Sequence, residues 1–168
     1  MNMCINMPIT QKENGDLRDD ELICSKTNLE GIITYANMAL CRISGFSENE
    51  LLGKPHNIMR HPDMPCTVYA WMWDMLERGH LWRATVKNRC KNGGHYWVDT
   101  NISQQYAPDG RVIGYLSTRR KPSDTQVAEA ETLYASLREA EGELEAQDGM
   151  PSAAVMERYR NSPLYQVQ

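Results

Sequence analysis

The chain of 168 residues has one phenylalanine, no CxxC pair and no apolar run long enough to cross a bilayer. Its five cysteines, Cys4, Cys24, Cys41, Cys66 and Cys90, are scattered and odd in number, which argues against a disulfide framework. His56 and His61 have the separation of a zinc-finger histidine pair, but no close cysteine pair completes a site, and no metal is expected. Basic residues are in the minority, 18 Lys and Arg against 22 Asp and Glu, so the excess that tracks a nucleic-acid backbone is missing. There is no P-loop, GxGxxG, GxSxG or HExxH, and no nucleophile–base pair is visible, so an enzyme is not expected. The start, MNMCINMPITQKENGD, lacks the cationic and long apolar segments of a secretion signal, and a cytoplasmic location is expected.

What is present divides into three parts. Residues 1–19 are polar and without period, an arm or loose cap; residues 20–121 form one domain; residues 122–168 form an acidic helix and tail. In the domain, two short apolar runs around Asn28 to Gly31 read as a hairpin. Leu40 and Ile43 follow at helical spacing, and Ser47 with Glu50 forms a capping box for a second short helix. Gly53 to Pro65 holds three prolines and a glycine in 13 residues, and reads as a tightly directed loop. Residues 66–79 are helical, with apolar side chains most of the way round.

The period then changes to two. Trp82, Ala84, Val86, Asn88 and Cys90 share one face of a strand; Arg83, Thr85, Lys87 and Arg89 share the other. Turns at Lys91–Gly94 and Ala107–Gly110 lead to two further strands, the first with Tyr96, Val98, Thr100 and Ile102 on one face. Strands at both ends with helices between predict an α+β fold: a five-stranded antiparallel sheet with helices on one face, followed by a C-terminal helix of about 24 residues. Along that helix Val127, Ala130, Tyr134, Leu137, Glu141 and Leu144 alternate at spacings of three and four. This is either a seam for a homodimer, weakened by Glu141, or a face that covers the helix's own domain.

Asn88 stands apart, because an amide turned into a core must find partners or cost about 1–3 kcal/mol. Backbone or water can supply them, as can a flat ligand with a polar edge, with Trp82 as a stacking surface. Arg60, His61 and Asp63 lie together between prolines, either as solvated loop charges or as a set that recognises phosphates and hydroxyls.

ITYAN, GKPHNIMRHPDMP, the helix containing WMWDM, and VKNRCKNGGHYWV together resemble the sensory PAS domain of bacterial aerotaxis receptors, over about residues 21–137. RHPDMP and KNR-x-KNG-x-HYWV are the specific parts. The resemblance implies a PAS fold that binds FAD non-covalently, reads redox state and signals to a chemotaxis-type partner. It implicates Asn37, Arg60, His61, Asp63, Trp82 and Asn88 in holding or responding to the flavin. Related blue-light PAS flavoproteins have an asparagine matching Asn88, but a second where this chain has Val98. They also carry a reactive cysteine in a segment like Gly53 to Arg60, which has none here, so photoadduct chemistry is not expected. Aerotaxis receptors continue into a membrane anchor and a signalling coiled coil. Their absence here leads to the expectation of a separate soluble sensor, or of another use for the domain. The competing readings are a ligand-free interaction or dimerisation module and, more remotely, a PAS domain binding haem through His61.

Overall fold

The computed structural model describes residues 17–143 and residue 157; most of the N-terminal arm and of the tail beyond the acidic helix lies outside the described residues. The first hairpin is β1 (Ile23–Thr27) and β2 (Ile33–Ala36), followed by α1 (Met38–Ser44), α2 (Glu48–Leu51), a 3₁₀ turn (His56–Met59) and α3 (Cys66–Glu77). Then come β3 (Trp82–Arg89), β4 (His95–Tyr106), β5 (Val112–Arg120) and α4 (Asp124–Glu143). All five strands join one antiparallel sheet in the order β2-β1-β5-β4-β3.

Local chemistry accounts for most boundaries. Asn37 caps α1 through its Oδ1, which accepts from the Leu40 amide, and Gly45 ends the helix in the left-handed conformation at φ 77°. Ser47 and Glu50 make the expected reciprocal capping box on α2. On β5, Gly114 sits where a Cβ would stand 2.0 Å from the Thr27 carbonyl oxygen, so only glycine lets β5 lie this close to the end of β1.

Helices α1 to α3 cover the inner face of the sheet. Trp71 of α3 lies 6.2 Å, ring centre to ring centre, from Trp82 of β3, and Leu40, Val68, Met75 and Leu76 complete the core. The opposite face of β3 does not face water, as its basic residues suggest. Thr85, Lys87 and Arg89 are buried, because α4 and the loop around Asp63 close over them. Tyr134 of α4 stacks on Trp97 at 6.4 Å and donates its hydroxyl to the Thr85 carbonyl, while Lys87 pairs with Asp63 at 2.9 Å.

The three-four stripe on α4 is therefore turned against its own domain as far as Glu141, with Ala130, Tyr134 and Leu137 buried; Leu144, its last member, lies outside the described residues. Glu141, the residue that disturbs the stripe, has a function of its own. Helix α3 begins at Pro65, which supplies no side-chain cap, and Glu141 takes the free amides of Cys66 at 3.2 Å and Thr67 at 2.6 Å. The Thr67 hydroxyl donates to the same carboxylate.

Candidate functional site

Between the inner face of the sheet, the 3₁₀ turn and α3 lies a cavity of about 240 Å³. Strand alternation decides what faces it. Cross-strand register sets Ala84, Thr100 and Arg119 in one row over β3, β4 and β5. Trp82, Ile102, Ser117 and Ser25 form the next row, which extends to β1. The floor is thus apolar at the β3 edge and polar toward β1 and β5. Tyr69, Met72 and Trp73 of α3 form the opposite wall.

Four buried polar atoms on this lining have no hydrogen-bond partner: Trp82 Nε1, Thr100 Oγ1, Ser117 Oγ and Arg119 Nη1. Each such group costs about 1–3 kcal/mol when it stays unpaired, and native cores hold few. All four belong to residues that line this one cavity, an arrangement that suits a ligand with heteroatoms along its edge.

Arg119 Nη2 donates to Ser25 Oγ at 2.8 Å and to His56 Nε2 at 2.7 Å. Because Nε2 accepts that proton, His56 is neutral. Burial, and then the charge of Arg119, pushes its pKa down to about 3. Burial likewise lowers the pKa of Arg119 and raises that of Tyr69 to about 12.

The six residues implicated from sequence divide evenly. Arg60, Trp82 and Asn88 line the cavity. Asn88 is 6 % exposed, and its backbone bridges to Arg60. The Arg60 guanidinium lies 3.9 Å over the Tyr69 ring. Asn37, His61 and Asp63 are not on the lining. The Asn37 side chain ties Cys24 and Leu22 to the start of α1. His61 is buried behind β3, where its Nδ1 accepts from the Asp63 amide at 3.1 Å and its ring meets His95 edge-on at 6.0 Å. Burial, then Lys87, lowers its pKa to about 4. His61 and Asp63 thus shape the loop that delivers Arg60, and join it to β3 and α4.

Sequence reasoning missed Arg119, Ser117, Thr100, Ser25 and His56. The alternation of Tyr115, Ser117 and Arg119 on β5 is a period-two signal that places all three on one face. Thr100 carries the same period-two signal on β4, on a face with Tyr96, Val98 and Ile102, whereas Ser25 and His56 depend on the β1–β5 register and on where the 3₁₀ turn lands, which no local pattern carries.

The profile of the family described as "PAS fold" matches residues 33–119. The chain is 42 % identical over 130 residues to the aerotaxis receptor of Escherichia coli (strain K12), covering 77 % of this chain and 26 % of that protein. It is 34 % identical over 96 residues to the nitrogen fixation regulatory protein of Klebsiella pneumoniae, covering 57 % of this chain and 19 % of that one. It therefore spans about a quarter or less of the length of either relative. Among solved structures, a light-oxygen-voltage domain studied with a flavin analogue has a TM-score of 0.57 at 22 % identity, covering 73 % of this chain and 87 % of that one. A PAS domain from Colwellia psychrerythraea has 0.52 at 19 % identity, over 60 % and 86 %. These two likenesses speak to the fold alone.

Proposed function

The chain belongs to the PAS family, and on that premise we propose that it is a cytoplasmic redox sensor that holds FAD non-covalently in the sheet cavity and signals to a partner protein by a change of conformation. The observation that carries this reading is that four residues with an unpaired buried polar atom line one cavity together with Asn88. Similarity to a receptor for aerotaxis supports the redox stimulus and a chemotaxis-type partner. Similarity to a nitrogen fixation regulator supports a regulatory rather than an enzymatic role.

FAD, when bound, supplies a ring that takes up two electrons reversibly and changes its protonation and hydrogen bonding as it does. The chain's own residues do the rest. Asn88, Thr100, Ser117 and the Trp82 indole N–H offer donors and acceptors to the heteroatom edge of a flat ring, and Trp82 and Trp73 offer apolar surface. Arg60 supplies a phosphate-type cation on the loop side. A ligand-free module leaves the four polar atoms without an evident purpose. Haem ligation by His61 is disfavoured because the imidazole lies behind β3, off the lining. Among the described residues no helix is long and apolar enough to cross a membrane.

The test is the visible spectrum of the gently purified protein, followed by reconstitution with FAD. Flavin bands that remain with the protein through gel filtration are expected. A colourless protein that takes up no FAD would sink the reading.

A further inference from the structure

Arg119 is 2 % exposed, and among the described residues it enters no ion pair. The groups around it are Ser25 and Cys24 of β1, His56 of the 3₁₀ turn, Tyr69 of α3 and Tyr96 of β4, none of them a carboxylate. The acid on the cavity wall is Glu30, which is exposed and hydrogen-bonds with Asn28. Arg60 adds a second positive charge to the same cavity. A guanidinium removed from water with no counter-charge is strongly unfavourable, and arginine does not escape by losing its proton. Nη2 is occupied by Ser25 and His56, whereas Nη1 is buried without a partner at the cavity wall.

We propose that Arg119 is the receptor for negative charge on the cavity's ligand and that, with flavin in the cavity, it holds the two-electron-reduced ring as its anion. The proposal rests on the flavin reading. An oxidised flavin that gains two electrons and one proton, the proton at N5, carries a negative charge over N1 and the C2 carbonyl; a second proton at N1 neutralises it. A fixed cation at the cavity wall opposes that second proton. His56 cannot supply it, being neutral with Nε2 already accepting from Arg119. The charge that appears on reduction would then pull on the Arg119 cluster, which joins β5 to β1 and to the loop before Arg60.

The same receptor could serve the phosphates of FAD instead, and the experiment separates the two. The full-length protein is loaded with FAD and reduced at an electrode, which supplies both electrons, at several mildly acid pH values where free reduced flavin is neutral. One proton per two electrons gives a midpoint potential that falls by about 30 mV per pH unit, and two protons give about 59 mV. The one-proton slope is expected for the wild-type protein and for Arg119→Lys, and the two-proton slope for Arg119→Gln. A two-proton slope in the wild type overturns the proposal whether or not any variant folds, and leaves the flavin reading standing. A one-proton slope retained in Arg119→Gln overturns it too, by removing Arg119 as the source. A loss of affinity for oxidised FAD in Arg119→Gln that riboflavin does not share assigns the charge to the phosphates and also overturns it. Failure of the wild-type protein to take up any flavin removes the flavin reading and this proposal with it.

Discussion

Replacing Glu141 tests how α4 is held. Its carboxylate takes two backbone amides and one hydroxyl at the start of α3, a helix whose own N-cap is a proline without a capping side chain. Loss of a cap costs about 0.5–2 kcal/mol, and loss of an anion at a helix N-terminus a further 0.3–1 kcal/mol or so. Glu141→Ala is therefore expected to lower stability by about 1–3 kcal/mol. Glu141→Gln keeps one acceptor oxygen and should lose about half as much. For a domain of this size each kcal/mol moves the thermal midpoint by about 3–5 °C. Urea denaturation followed by tryptophan fluorescence reads both the global change and the local one, since Trp97 stacks on Tyr134 of the same helix. If the alanine variant stays within about 0.5 kcal/mol of the wild type, the carboxylate is not a cap, and α4 is held by Tyr134 and Leu137 alone.

His61 should make the domain acid-sensitive. Its folded pKa of about 4 lies below the ordinary histidine value, so the unfolded chain binds the proton more readily. The stability it contributes is complete above about pH 6.5 and is lost as pH falls toward 4, by up to about 1.4 kcal/mol per unit. Urea midpoints measured from pH 7 to 4.5 should show this fall, to which buried His56, with its pKa at about 3, also contributes, so His61→Asn should reduce the slope by about half; an unchanged slope would remove His61 as a cause. Gly114→Ala forces a Cβ against the Thr27 carbonyl and should cost about 3 kcal/mol or more, whereas Gly110→Ala, with open space around it, should cost only about 1–2 kcal/mol from its φ of 87°. Equal losses in thermal melts would show that β5 has room to move away from β1. Asn88→Ala should lower FAD occupancy after reconstitution at least tenfold more than Arg83→Ala, whose guanidinium pairs with Asp99 on the other face. Similar occupancies would contradict the face assignment of β3.

The strands, their turns and the first two helices were legible because each rests on contacts between residues close in sequence. Alternation set the faces of β3, Ser47 and Glu50 are three residues apart, and the Gly-containing turns need no distant partner. Asn88 was found by that logic, since a polar residue on an apolar face is visible within eight residues of sequence. Arg60 and Trp82 entered with it, although the loop's fold was not readable. Glu141 looked like a flaw in a seam because its partners, Cys66 and Thr67, lie 75 and 74 residues away. The Arg119 cluster was missed for the same reason: Ser25 and His56 reach it across 94 and 63 positions of chain. The burial of Lys87 and Arg89 on the second face of β3 was not legible, because nothing local shows that α4 folds back over them.

Strand β3 presents successive side chains to two different listeners. Val86 and Asn88 look into the cavity, while Thr85 and Lys87, their immediate neighbours, meet Tyr134 and Asp63 behind the sheet. One peptide plane separates these two sets of contacts, so the wall of the cavity and the seat of α4 are built from the same ribbon, with no layer of other residues between them.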